Sequence, residues 1–248
     1  MSEYPLNTSV LMMPYNDYMD EASLFLSHFS PEASSFAEFQ REAVSYSSLE
    51  SVRNNMPATG HTSGEFIRGL RVCYGLTDWQ IKLYYVPVYG DVEDTDEETV
   101  NFSFSETTGD LPTIINLNTF PVYENISGDL TNIMNDNTAK ANAIQSVSDY
   151  RANIRIILQD NESPSEYENG RDGKSIFFPF QEIDALHSEY DAETIYFTSA
   201  AKVAPSDYKH FIVLSHLDPR DYLSFGGVAA NLGRLCPPHC PSATYPIS

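Results

Sequence analysis

The chain has only three cysteines, Cys73, Cys236 and Cys240, among 248 residues. That is too few for a secreted disulfide scaffold, so the core must hold the fold. Basic residues are also scarce, with 14 Lys and Arg against 35 Asp and Glu, a formal charge of −21. A chain so acidic repels phosphate backbones, which argues against direct binding of DNA or RNA. No apolar run approaches the roughly 20 residues needed to span a bilayer, so no membrane contact is expected. The N-terminus lacks a basic region followed by a long apolar core, the mark of a secretory signal. A soluble, cytoplasmic protein is the expectation. The triplets starting at Asn7, Asn101 and Asn125 fit a glycosylation pattern, but in that compartment they are coincidental. Phosphate loop, dinucleotide glycine fingerprint, zinc-protease helix and nucleophile elbow are all missing.

What the chain does have is a strand-rich centre, Gly69 to Gly90. Leu70, Val72 and Tyr74 alternate with Arg71 and Cys73, the period of a strand, and Gly75 closes the run. After Thr77 and Asp78, the residues Ile81 to Val86 form a second run rich in aromatic and branched side chains. The short gap predicts an antiparallel hairpin. Trp79 at the turn caps its apolar face. Pro87 cannot donate to a ladder and favours an edge or a strand end.

Helical stripes precede this hairpin. Tyr18, Ala22, Phe25 and Phe29 follow helical spacing. Ser30 and Pro31 read as the start of a second helix, whose face carries Phe36, Phe39, Ala43 and Tyr46 and which stops before Pro57. After Gly90 come six acids in eight residues. Carboxylates suit calcium, but the spacing lacks the glycine and alternation of an EF-hand, so a solvated loop is expected. Residues 99–127 suggest one or two short strands and a linker.

Beyond the linker the periodicity predicts a helix from Asn137 to Tyr150, lined by Ala141, Ile144 and Val147, continued by a short strand or helical extension through Ile154 and Leu158. A further helix carries Phe180, Ile183, Leu186 and Tyr190, with Pro179 in its first turn. Two strand-like runs follow, Glu193–Ala200 and Lys209–Leu217. The expected fold class is therefore α+β, with antiparallel hairpins and helices packed on one face. It divides into two similar helix-plus-hairpin units, either a diverged duplication or two unrelated copies of a common motif. The expected division is 1–128, 129–235 and a tail, 236–248, lying beyond the last apolar run and dispensable for folding.

Tyr150-Arg151, Phe178-Pro179 and Cys236-Pro237-Pro238-His239-Cys240, with the block Gly69-Leu70-Arg71-Val72-Cys73-Tyr74-Gly75, carry a resemblance. The stretch from Asn137 to Cys240 resembles an uncharacterised family of small bacterial proteins. Their pattern is a tyrosine-arginine helix, a phenylalanine-proline step, a glycine-leucine-arginine strand block and a cysteine-proline-proline-x-cysteine tail. The strand block departs from that order, since its better copy lies in the N-terminal half. The resemblance implies boundaries and no activity.

The tail holds the densest chemistry. Cys236, His239 and Cys240 can bind a borderline metal such as zinc if a fourth ligand joins them. They can equally form a redox pair, or belong to a stiff, partner-contacting extension. Ser199 and Lys202 match a serine-x-x-lysine pattern without its companion lysine-threonine-glycine strand, a chance match. His210 and His216 lie six apart on one strand face. Arg71 and Cys73 occupy the less apolar face of the central hairpin. With no catalytic motif and 16 Tyr and 14 Phe, the sequence favours a non-enzymatic module that contacts an unidentified protein partner. A metal- or redox-responsive protein and an enzyme with an unrecognised site are the alternatives.

Overall fold

Two antiparallel sheets share one hydrophobic core, and most of the buried apolar side chains among the described residues lie in it or under one helix. The computed structural model describes residues 13–14, 41–55, 66–78, 80–90, 121–154, 175–200, 210–218, 228–230 and 234–236. Within these, the strands are β1 (Met13–Pro14), β2 (Arg41–Ser45), β3 (Phe66–Thr77), β4 (Gln80–Gly90), β5 (Tyr123–Ile126), β6 (Asp129–Asn132), β7 (Ser175–Pro179), β8 (Thr194–Ala200), β9 (Phe211–Ser215), β10 (Val228–Ala230) and β11 (Arg234–Cys236). Helices α1 (Tyr46–Asn54), α2 (Asn137–Asp149) and α3 (Phe180–Tyr190) join them, and a π-helical turn, Tyr150–Ile154, continues α2. One sheet has the order β1-β10-β9-β8-β2 and the other β11-β7-β3-β4-β5-β6. The α+β class expected from the sequence is the class found.

The central hairpin is β3–β4, turning at Thr77↔Gln80. Asp78 takes φ 50° there, a left-handed position that aspartate tolerates. The strand does not end at Gly75, as its glycine suggested, but runs on to Thr77. Alternation sorts the side chains. Leu70, Val72, Tyr74, Leu83 and Tyr85 join Ile176, Phe178, Ile195, Phe197, Ile212 and Leu214 in one core between the sheets. Phe197 stands edge-on to both Tyr85 and Phe178, at 5.1 and 5.9 Å, the arrangement aromatic quadrupoles prefer. Leu49 and Val52 of α1, with Phe180, Ile183 and Leu186 of α3, extend that core. On the opposite face of the hairpin, Cys73, Tyr84 and Val86 pack under Ala143 and Val147 of α2.

Helix α2 starts where expected, with Asp136 accepting from the Thr138 and Ala139 N–H groups as its N-cap. The buried face differs from the expected one. Ala143, Ser146 and Val147 are buried, whereas Ala141 is exposed. The reason is close approach: a Cβ at Gly75 would collide with Ser146 Oγ and meet Tyr84 Cε2 at 2.7 Å. Small side chains therefore face the sheet, where a hydrophobic stripe alone would have put larger ones.

One reading is corrected. The second helix, with Ala43 and Tyr46 on one face, is broken: residues 41–45 are strand β2, paired residue by residue with β8 from Arg41↔Thr198 to Ser45↔Thr194. Ser45 ends the strand and caps α1, accepting from Ser48 N–H. A partner about 150 residues away decides this, and local periodicity cannot register it. Residues 127–128 form the second turn. Ser127 and Gly128 have φ 56° and 100°, as a two-residue hairpin between β5 and β6 requires. The pairs β2–β8 and β3–β7 join strands from either side of residue 128. Cys236 is the last residue of edge strand β11, opposite Ser175. The readings for residues 17–40 and for the acidic run 91–98 fall outside the described residues.

Replacing Gly75 with alanine should lower stability by about 1–3 kcal/mol, the usual cost of forcing a methyl into a packed contact. Urea unfolding measures it, and an unchanged midpoint would contradict the contact between α2 and β3.

Candidate functional site

Strand β2 is the edge of its sheet, and its free side meets the other sheet through individual hydrogen bonds instead of a ladder. The Ala43 carbonyl accepts from Asn125 Nδ2 at 2.9 Å, and the Ser45 N–H donates to the Gly128 carbonyl at 2.8 Å. The same Asn125 accepts from the Gly128 N–H at 2.9 Å, so one amide side chain holds both the turn and the seam. Ser48 Oγ accepts from the Leu130 N–H at 2.7 Å. Asn125 opens one of the glycosylation-like triplets, but its amide is committed to this seam.

Glu42 closes the seam toward β4. Its Oε1 accepts from the Leu83 N–H at 2.8 Å, and its Oε2 from the Tyr85 hydroxyl at 3.0 Å. Strand β5 pairs with β4 only at Tyr84 and Tyr85, so the Leu83 N–H would otherwise lack a strand partner. Alternation puts the ring nitrogen of Pro87 on this same unladdered side, which is how a proline fits into a strand between two others. Glu42 is half-buried as a residue, but its carboxyl group is enclosed. Burial pushes that carboxyl up to about 7, against the opposing pull of the Leu83 N–H, Lys82, Tyr85 and Asn125.

Beside the seam opens a cleft of about 990 Å³, within the range of small-ligand and peptide pockets. Strand β2 contributes Arg41 and Glu42, and the hairpin contributes Thr77, Asp78, Lys82 and Tyr84. Glu124 and Asn125 come from β5, and Asp136, Gln145, Ser146 and Asp149 from α2 and its cap. Five carboxyl groups thus face two cations. Both cations are engaged: Lys82 pairs with Glu124 at 3.1 Å, and the Arg41 guanidinium grips both oxygens of Asp218 at 3.0 and 2.7 Å. Thr77 Oγ1 donates to Ser146 Oγ at 3.1 Å in the cleft wall.

A second constellation resembles a catalytic triad and is not one. His210 lies between the sheets, its Nε2 3.0 Å from Ser199 Oγ and its Nδ1 bonded to the Tyr150 hydroxyl. Tyr74 stacks on the imidazole at 4.1 Å. Ser199, His210 and Tyr150 are each exposed by 2% or less, so no substrate carbonyl reaches the serine. Burial drives the His210 imidazole down to about 3, which leaves it neutral and too weak to serve as a base at neutral pH. A phenol in place of the triad carboxylate cannot offset an imidazolium charge. The group is a buried polar joint, with the π-helical turn after α2 carrying Tyr150 round to the inter-sheet core.

The residues singled out from the sequence scatter. His216 stacks on Tyr190 at 4.3 Å, while His210 engages Ser199 and Tyr150. Arg71 and Cys73 are both buried on the face toward α2. Trp79, Lys202, His239 and Cys240 lie outside the described residues, and of Cys236 only the backbone place in β11 is given. Among the described residues no group of histidine, cysteine and acidic side chains could hold a metal ion, and no helix is long and apolar enough to cross a membrane. Sequence reasoning missed Glu42 and Asn125. One signal was available for the second: Asn-x-Ser-Gly just after an apolar run is turn chemistry.

The chain matches no protein-family model, no curated protein and no solved structure.

Replacing Tyr150 with phenylalanine should cost about 1–3 kcal/mol, because it strips the buried His210 Nδ1 of its partner. His210 has a folded-state value below its unfolded one. The stability it contributes is therefore full above the ordinary histidine range and falls as pH drops from 6.5 toward 3. Urea unfolding between pH 4 and 8 should show this slope shrink in His210→Phe; an identical slope would contradict a neutral buried imidazole.

Proposed function

We propose that this chain is a cytoplasmic, non-enzymatic interaction module that docks a basic segment of a protein partner in the cleft beside β2. The observation that carries the reading is the cleft's charge: besides the enclosed Glu42, four carboxyl groups stand against two cations that are already paired within the protein. A lysine- or arginine-bearing segment supplies the missing positive charge, whereas phosphate backbones are repelled by the same wall and by the chain as a whole. Asp78 at the hairpin turn, Glu124 on β5 and Asp149 on α2 all line the cleft, so a segment lying in it meets acids from three elements.

Two further observations favour binding over catalysis. The serine–histidine pair is sealed in the core. Among the described residues the one carboxyl with a value near neutrality, Glu42, has each oxygen bonded to a group of β4, which leaves it a structural task.

A short lysine- and arginine-rich peptide, titrated calorimetrically, tests the reading. Binding should weaken with added salt. The combined variant Asp78→Asn, Glu124→Gln, Asp149→Asn should bind at least about tenfold more weakly, the sum expected of three such charges. Equal binding by the variant, or equal binding of an acidic peptide, would overturn it.

A further inference from the structure

The seam contains an ionisable group at a place where uncharged ones would serve. The other bonds across it are Asn125 to Ala43, Ser45 N–H to Gly128 and Ser48 to Leu130, made by an amide, a hydroxyl or the backbone, and an exposed one from Ser45 Oγ to the Asp129 carboxylate. Of the two carboxyl groups bonded there, Glu42 is the enclosed one, and it bridges β2 to β4 beside the cleft. We infer that Glu42 is a proton-operated latch between the sheets: protonated, it closes β2 onto β4, and ionised, it loosens that closure and admits water from the cleft. The inference goes beyond the docking reading and holds with or without a partner.

The geometry accounts for both states. A protonated carboxyl keeps both contacts, because Oε1 still accepts from the Leu83 N–H while Oε2 and the Tyr85 hydroxyl can exchange donor and acceptor roles. An ionised carboxylate keeps the same two donors but places an anion where water is excluded. The neighbours compensate that charge only in part. From β4 come Lys82, Tyr84 and Tyr85, and the Lys82 ammonium is shared with Glu124. From β5 come Glu124, a like charge, and the neutral Asn125. Asp129 at the start of β6 accepts from Ser45 Oγ, and Arg41, next to Glu42 on β2, is turned to Asp218. The carboxyl's rise to about 7 has this cause, burial first. It places the transition near neutrality, where a small change in pH alters the latch.

The sign follows from linkage. The closed state holds the proton more tightly than the open one, so closure is favoured at low pH and is progressively lost as pH rises through about 7. Native-state hydrogen exchange reads this at the Leu83 amide, whose donor bond is the latch itself. Its protection factor, corrected for intrinsic exchange, should fall about tenfold or more between pH 5.5 and pH 8. In Glu42→Gln, which keeps the shape and both contacts, it should stay flat. Amides at the paired centres of β8 and β9 should behave alike in the two proteins. A Leu83 protection factor that is flat in the wild-type protein, or that falls equally in both, overturns the latch. If Glu42→Gln does not fold, the Glu42 side-chain carboxyl carbon signal of the wild-type protein decides: titration near neutrality supports the latch, and titration in the ordinary glutamate range overturns it.

Discussion

Everything in this molecule depends on how an edge strand with no ladder on its outer side is joined to a second sheet. Strand β2 belongs to one sheet through β8, yet its outer carbonyl and N–H groups are met by the β5–β6 turn, and its Glu42 reaches into β4. An unpaired strand edge exposes a row of donors and acceptors that invites association with other chains. Here the edge is closed by a few individual bonds, most of them made by side chains and one by the backbone. A stitched edge differs from a ladder in that its bonds can be altered singly, and one of them carries a titratable group.

The seam also fixes what surrounds it. Ser45 serves as the last residue of β2, the N-cap of α1 and a donor to the β5–β6 turn. Helix α1 therefore starts where the seam ends, and its Leu49 and Val52 enter the inter-sheet core. On the far side of the hairpin, Gly75 lets α2 sit close enough to make the opposite wall of the cleft. The cleft is thus the space left between a stitched edge and a closely seated helix. Its acidity comes partly from residues with structural duties, such as Asp136 as a helix cap. Binding and folding draw on the same side chains there, and a charge-neutral wall would require a different helix start.

Much of the fold was legible because it was local. The β3–β4 and β8–β9 runs announce themselves by alternation and branched residues, and α2 and α3 by their stripes and by Asp136 or Pro179 at their starts. What escaped was decided at long range. Strand β2 is a strand because of β8, and β7 is one because of β3; each is five residues long, too short for its own pattern to dominate. The site was hidden for a further reason. Glu42 is one acid among 35 Asp and Glu, and only the placement of Leu83 N–H and the Tyr85 hydroxyl beside it separates it from the rest. His210 and Ser199 were noticed individually, but their pairing depends on β8 and β9 facing inward together with Tyr150. Once assembled, their burial removes the chemistry that the residue types suggest.

The central claim is that Glu42 joins the sheets through specific bonds and does not merely lie between them. A double-mutant cycle of Glu42→Gln and Tyr85→Phe measures that join most directly. If the claim is right, the two residues are coupled by about 0.5–3 kcal/mol in urea unfolding, the range found for hydrogen-bonded neighbours. Strictly additive losses, with no coupling between Glu42 and Tyr85, would contradict it.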